Sequence, residues 1–418
     1  MKRTRSDGTT TVTATLPAST NRARYRAFRG ERLTAYLFIL PAVFLIAIFG
    51  IFPIGYTFYM SLYRWRIRKG SFIGFDHYSD LVGNWAAALA FMVGLAALLV
   101  AHWLWTSAFA REGWRRWRRL AVSLTLMAAG VSIALGWRTM MALGDDEFLG
   151  SLVVTLYYAL GTVPVQIALA LVLATLLFQK IRGKEGFRMI YFLPYVTPQV
   201  AAAVVFAQIF SPRGSSLAPG SNSVANQVLA WFRIEPQRWL FEPRPLTELL
   251  FGDQIAVFNG WLADSGVAWQ LGGLWLGPSL ALVSIILFGV WTYTGLNVVI
   301  FLAGLGGIPV ELYEAAEIDG ANSRQRFWSI TIPLLSPVTY YLTLLGFIGT
   351  LQAFSQLYVM RSPFARGTVD TASIMIFDTF YKSNNFSLAA AQSFLLFFVI
   401  LFVTITQQRV MGRKVFYG

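Results

Sequence analysis

The chain of 418 residues contains no cysteine. Disulfides and thiolate metal sites are therefore excluded, and cysteine usage says nothing of the redox compartment. Histidine is almost absent. His77 and His102 stand alone in the sequence, which argues against a histidine metal centre. Charge is scarce as well: only 13% of residues are Asp, Glu, Lys or Arg, against about a quarter in soluble domains. No G-x-x-x-x-G-K-[ST] phosphate loop occurs, so the chain lacks that route to ATP hydrolysis and is not expected to be an enzyme.

Apolar residues fill the space that charge leaves. They make up 56% of the chain, with a mean hydropathy of +0.57. About 20 apolar residues cross a bilayer core as a helix, and backbone groups in lipid must be paired within their own segment. The expected fold class is an all-α polytopic membrane protein. Eight spans are expected, at 35–60, 86–108, 119–142, 152–178, 190–211, 279–303, 335–358 and 388–408. The net charge of +14 reads as basic cytoplasmic loops rather than as a nucleic-acid surface.

Residues 1–34 hold eight Lys/Arg against Asp7 and Glu31. They read as a disordered basic tail, without the early apolar region and cleavage site of a signal peptide. With this tail in the cytoplasm, the basic segments 109–119 and 179–189 and the C-terminal tail 411–418 also fall inside, and Asp145, Asp146 and Glu147 fall outside. Both termini are then cytoplasmic, in an inner membrane. Two segments run against this pattern. Arg64, Arg66, Arg68 and Lys69 fall outside, and the net-acidic loop around Glu314 falls inside. The expected organisation is the tail, then 35–151 with the first span and two further spans, then a core at 152–410. The core carries an external loop at 212–278 and a cytoplasmic loop at 304–334.

That cytoplasmic loop is unusual. It contains Glu314-Ala315-Ala316-Glu317-Ile318-Asp319-Gly320-Ala321 between two apolar spans. Pro309 suits the first turn of a helix, and Glu311 and Glu314 lie near its positive end. Ala315 and Ala316 are small enough to admit a partner surface. Gly320 can close the helix in a left-handed conformation. Asn322 with Gln325 resembles a capping box for a second short helix, on which Phe327 and Ile330 share a face. Pro333 and Pro337 then lead into the next span. The pattern predicts helix, turn and helix beneath the membrane.

The last five spans contain no carboxylate. Carriers driven by protons or sodium commonly place one at membrane depth. An ion-coupled carrier remains an alternative, because backbone carbonyls can bind sodium, as does a non-transporting scaffold or sensor. Uncharged polar residues do recur on these spans. Tyr293, Asn297, Gln352, Ser355, Tyr358 and Gln392 are candidate contacts for a neutral polyol or sugar, whose hydroxyls need replacement partners and whose C–H faces can stack on rings. Hydrogen bonding between helices is the competing use of the same residues.

The run EAAEIDGANSRQRFWSITIPLLSP resembles the cytoplasmic signature of permease subunits of ATP-binding-cassette importers. The segments FLPYVTPQVAAAVVFAQIF, VWTYTGLNVVIFLAGLGGIPVELYEAA and LQAFSQLYVM extend the resemblance to the first permease of carbohydrate-type importers, the maltose and glycerol-phosphate kind. It covers 150–410 well and 35–80 weakly. The resemblance implies a type I permease core that moves substrate by alternating access. It also implies that Glu314, Ala315, Ala316, Asp319 and Gly320, together with Phe327 and Pro333, couple the chain to an ATPase. The implied partners are a second permease, two cytoplasmic ATPase subunits that hold the ATP and magnesium, an external substrate-binding protein and a sugar-like substrate. No cofactor is expected in this chain.

Three segments depart from the family pattern. Residues 83–150 hold the two further spans. Residues 246–277 lengthen an external loop rich in Trp, with Trp231, Trp239, Trp261, Trp269 and Trp275 in the region. This reads as a surface helix or as a docking surface for the binding protein. RSPFARGTVDT at 361–371 replaces a Gly-Gly-Pro turn.

Overall fold

A computed structural model of the chain describes residues 34–106, 115–179, 182–211, 223–265, 272–412 and 415. The basic tail read as disordered, much of the 109–119 loop and Trp269 lie outside the described residues. The chain divides into two units, one ending at Tyr59 and the other beginning at Met60. Among the described residues the first holds helix α1 (Thr34–Ser61) as far as Tyr59, with a π turn at Ala47–Ile51.

The second unit opens with a hairpin of β1 (Tyr63–Trp65) and β2 (Lys69–Phe72), followed by α2 (Asp76–Val82). Ser387 at the start of the last helix fastens this hairpin. Trp65 N donates to Ser387 Oγ at 3.0 Å, and His77 Nε2 lies 2.9 Å from the same oxygen. The two further spans are α3 (Trp85–Thr106) and α4 (Arg115–Leu143), which pack side by side. Small residues, Ala87 and Ala101 on α3 and Ala129 on α4, are buried. Small side chains let helix backbones approach closely in a membrane.

The spine of the unit is α5 (Asp146–Phe178) against α10 (Leu280–Gly306). Asp145 caps α5 by accepting from Phe148 N at 2.9 Å, and Ser279 caps α10 by accepting from Leu282 N at 3.1 Å. Both helices run the same way. Tyr158, Leu282 and Phe288 share one apolar cluster with Leu357 and Met360, while Leu177, Leu305, Leu335 and Leu342 share a second. One end of the spine therefore carries Asp146 and Ser279, and the other carries the loop that follows Gly306.

Two of the expected spans are not single helices. The segment read as 190–211 is α6 (Lys184–Val196) and α7 (Gln199–Phe210), bent by 96°. Pro198 has no N–H to donate and pushes Thr197 into extended backbone, with φ −67° and ψ 136°. The segment read as 335–358 is α13 (Ser336–Leu351) and α14 (Ser355–Met360), interrupted where Phe354 adopts φ −134° and ψ −63°. The last helix, α16 (Phe386–Val410), is unbroken.

On the Asp146 side, the described residues of the 212–278 loop include α8 (Val224–Trp231) and α9 (Leu246–Asp264). The surface helix is present as α9, with Trp261 exposed, and Trp231 on α8 is exposed as well. Trp239 behaves differently. Its Nε1 donates to Asn226 Oδ1 at 2.7 Å and its ring lies 5.2 Å from Phe210, so it holds the loop onto the bundle. The 361–371 segment is pinned by charge. Arg361 donates to Asp370 Oδ2 at 2.9 Å, and Gly367 N donates to the same oxygen at 2.8 Å. Asp370 and the adjoining segment line a pocket of about 730 Å³ together with Asp146, Glu147, Arg366 and Asp378.

Candidate functional site

The loop after α10 forms the predicted helix, turn and helix. The first helix is α11 (Val310–Ile318). Pro309 sits at its N-cap, one position before the first turn, and its carbonyl accepts from Leu312 N at 3.3 Å. At the other end Ala321 N donates to Ala316 O at 2.9 Å and Gly320 N to Glu317 O at 3.0 Å. This is a Schellman closure, and it requires Gly320 at φ +79°. The second helix is α12 (Ser323–Leu334). The capping box is complete: Gln325 N donates to Asn322 Oδ1 at 2.9 Å, and Asn322 N donates to Gln325 Oε1 at 2.8 Å. A π turn at Phe327–Thr331 widens α12 just before Pro333.

Two contacts set α11 against α12. The hydroxyls of Tyr313 and Thr331 lie 3.0 Å apart, and Arg326 Nη1 donates to Glu317 Oε2 at 3.0 Å. Thr331 is buried, whereas α11 buries none of its own residues. Glu314 and Ala315 are exposed, as are Asp319 and Gly320, and Ala316 is half-covered. Val310, Leu312 and Ile318 are exposed too, Ile318 by 86%. Phe327 and Pro333 are half-buried on α12. A short helix stiffened at both ends thus presents acidic, small and apolar side chains outward.

The six candidate contacts fall into two groups. Tyr293, Asn297 and Gln392 lie in the interior. Tyr293 Oη accepts from Gln199 Nε2 of α7 at 3.0 Å. Asn297 and Gln392 are buried, and neither Asn297 Nδ2 nor Gln392 Oε1 has a hydrogen-bond partner. Gln352, Ser355 and Tyr358 lie instead on an exposed face at the break between α13 and α14. Ser393 and Thr294 turn back onto their own helices, donating to Ala389 O at 2.8 Å and Val290 O at 2.6 Å. Their polarity is already satisfied.

Sequence reasoning passed over a polar line on α5. Tyr158, Thr162 and Gln166 recur every four residues and therefore share one face. All three are buried. Tyr158 Oη accepts from Gln356 Nε2 at 3.4 Å, while Thr162 Oγ1 and Gln166 Oε1 are buried without partners. The spacing is readable in the sequence, but hydropathy alone marks α5 only as an apolar span. Buried polar atoms in a membrane protein are costly unless paired, and among the described residues this interior holds several without a partner within the chain. Among the described residues no cluster of three or more His, Asp or Glu could hold a metal ion.

A bundle with polar residues in its interior and an exposed helix–turn–helix at one end describes a membrane-embedded transport component. The chain belongs to the family described as binding-protein-dependent transport system inner membrane component, whose model matches residues 139–417. It is a multi-pass permease of an inner membrane and not itself an enzyme. The match begins at residue 139, so α3 and nearly all of α4 lie outside it. The chain is 28% identical over 270 residues to an arabinooligosaccharides transport system permease protein of Halalkalibacterium halodurans, spanning 64% of this chain and 72% of the relative. It is 27% identical over 398 residues to a lactose transport system permease protein of Rhizobium radiobacter, spanning 93% and 97%. The crystal structure of a bacterial ABC transporter that imports alginate contains a chain of similar fold, with a TM-score of 0.54 at 18% identity and coverage of 93% and 99%. The fold is that of a type I importer permease.

Proposed function

We propose that this chain is the permease subunit of an ATP-driven importer of a sugar or sugar derivative. The observation that carries the reading is α11. It is capped at both ends, held to α12 on one side, and otherwise uncovered at the end of the bundle away from Asp146. Force applied to Glu314, Ala315, Ala316, Asp319 and Gly320 would pass through Tyr313 and Glu317 to α12. From there Phe327 and Pro333 lead into α13 and α14. The family and the named relatives, which carry arabinooligosaccharides and lactose, support a saccharide as cargo. The uncharged polar groups Tyr293, Asn297, Gln352, Ser355, Tyr358 and Gln392 suit it chemically.

In this reading two cytoplasmic ATPase subunits bind the ATP and magnesium, a second permease completes the membrane pair, and an external binding protein delivers the sugar. Closure of the ATPases shifts the bundle between two packed states, which is alternating access by rigid-body movement. The α11 end and both termini face the cytoplasm. The five core spans carry no carboxylate at their centres, which disfavours ion coupling.

The test is Gly320→Val in the assembly reconstituted with its own partner subunits. A β-branched residue at a φ of +79° is strained by about 1–2 kcal/mol, and no atom lies within 4 Å to clash with it. Membrane insertion should persist, ATP-dependent uptake should be lost, and ATP hydrolysis should no longer respond to substrate. Unchanged uptake, or uptake by the unaltered assembly under an ion gradient without ATP, overturns the proposal.

A further inference from the structure

The interruption of the seventh span leaves aromatic rings on an uncovered face. Phe354 and Tyr358 stack with ring centres 5.2 Å apart and planes inclined by 27°. Phe377 from α15 (Ala372–Phe377) meets both, 4.9 Å from Phe354 and 5.3 Å from Tyr358. Tyr381 continues the stack on Phe377 at 5.5 Å, with planes only 11° apart. These rings are not a closed core, since Tyr358 is 36% exposed and Tyr381 70%. Gln352 and Ser355, also exposed, keep the same face polar, which disfavours lipid tails as its cover.

The charges beside the rings are spent on one another. Lys382 Nζ lies 5.7 Å from the Tyr358 ring centre and 2.7 Å from Asp378 Oδ1. The other oxygen of Asp378 accepts from Arg361 Nη1 at 2.8 Å, and Arg361 also holds Asp370. Two cations thus face two carboxylates, and neither Arg361 nor Lys382 is left uncompensated to recruit an anionic ligand. The same network fixes the rings. Asp378 follows Phe377 directly and Arg361 follows α14, so the ion pairs hold α15 and α14 in register.

We infer that Tyr358, Phe377 and Tyr381 form a stacking platform for one ring of a neutral oligosaccharide, at the Arg361 end of the transport path. This rests on the saccharide reading above and narrows it. Flat ring faces match the C–H face of a sugar, and Gln352 and Ser355 supply hydrogen-bonding groups for its hydroxyls. The platform favours neutral chains over uronates, because the cations nearest the rings, Arg361 and Lys382, are bound to Asp370 and Asp378 and are not free to meet a carboxylate on the sugar.

The experiment uses the membrane assembly with its own partner subunits, and maltotriose, arabinotriose and trigalacturonate as probes. Tyr381→Ala is the main variant, since an exposed ring can be removed without opening a cavity, and Tyr381→Phe is the control that keeps the stacking face. Saturation-transfer NMR on the assembly in nanodiscs should show transfer to the C–H protons of a neutral trisaccharide. Tyr381→Phe should retain it, and Tyr381→Ala should cut it roughly fivefold or more. In proteoliposomes KM for that sugar should rise by a similar factor at unchanged kcat. Trigalacturonate should show neither effect. The platform is overturned if Tyr381→Ala leaves transfer and KM unchanged while uptake continues, if the variant changes only membrane insertion (the behaviour of an interfacial lipid anchor), or if trigalacturonate is the sole binder. If no saccharide is taken up by the unaltered assembly, the saccharide reading falls with it.

Discussion

Glu317 on α11 and Arg326 on α12 meet at 3.0 Å across the turn that Gly320 makes. The carboxylate side is 70% exposed, and exposed ion pairs contribute little to stability. The pair instead joins two helices whose relative angle decides where the outward face of α11 points. A helix with no buried residues of its own has few other contacts to define that angle. The Tyr313–Thr331 hydroxyl pair is the second.

Reversing one charge of this pair should therefore leave stability nearly unchanged, within about 1 kcal/mol, yet loosen the linkage. Glu317→Arg alone should lower ATP-dependent uptake several-fold, and Arg326→Glu alone should do the same. The double exchange should restore most of it, by the logic of a double-mutant cycle. Uptake rates of the three variants, beside thermal unfolding in detergent, check this. Failure of the double exchange to rescue would show that the contact does not set the angle.

Gly295 on α10 faces the backbone of α6. A Cβ built there would overlap the carbonyl of Tyr191 and lie 3.2 Å from Phe192 Cα. Backbone cannot swing aside as a flexible side chain can. Gly295→Ala should force the two helices apart and destabilise the bundle by about 1–3 kcal/mol or more, the cost of overpacking. Gly349→Ala is the matched control, because no atom lies within 4 Å of that position. Yield of folded protein and melting temperature in detergent should fall for the first and hold for the second.

The ion network around Asp378 gives a pH expectation with a definite sign. Burial opposes ionisation of the Asp378 carboxyl, but hydrogen bonds from Lys382 and Arg361 outweigh it and hold the group below its usual range. A carboxyl depressed in the folded state contributes stability above its unfolded pKa of about 3.9, and that contribution fades as pH falls through the lower folded value. Order in 361–382 should thus be indifferent to pH between 5 and 8, and should weaken only below about pH 4. Protection of the Gly367 amide, which Asp370 fixes at 2.8 Å, is a local reporter by hydrogen exchange, corrected for intrinsic rate. In Asp378→Asn the part of the low-pH loss that comes from the Asp378 carboxyl should disappear, while the Asp370 carboxyl that holds the Gly367 amide remains.

The α11–α12 loop was legible because its signals are local. Pro309, Gly320 and the Asn322–Gln325 pair act within a few residues of themselves, so their spacing alone specifies the caps. The bend between α6 and α7 was legible in principle from Pro198, but a hydropathy run passes through a proline without registering it. The path residues were harder. Asn297 and Ser393 look alike in sequence, as polar residues within apolar spans. Ser393 satisfies itself on its own helix, and Asn297 is left buried with an unpaired amide. Composition alone does not separate Trp239 from Trp231 and Trp261, yet of these three only Trp239 finds a buried partner, Asn226.

By itself, then, the sequence determined the apolar spans, the caps and the helix–turn–helix, because hydrophobic runs and end-capping depend on near neighbours. Only the tertiary structure decided which polar side chains turn inward and that Phe354, Tyr358, Phe377 and Tyr381 become one surface. It also decided that Arg361 is neutralised by Asp370 and Asp378. Each of these joins residues from separate helices or from an irregular segment, and the packing of elements distant in sequence has no local signature to read.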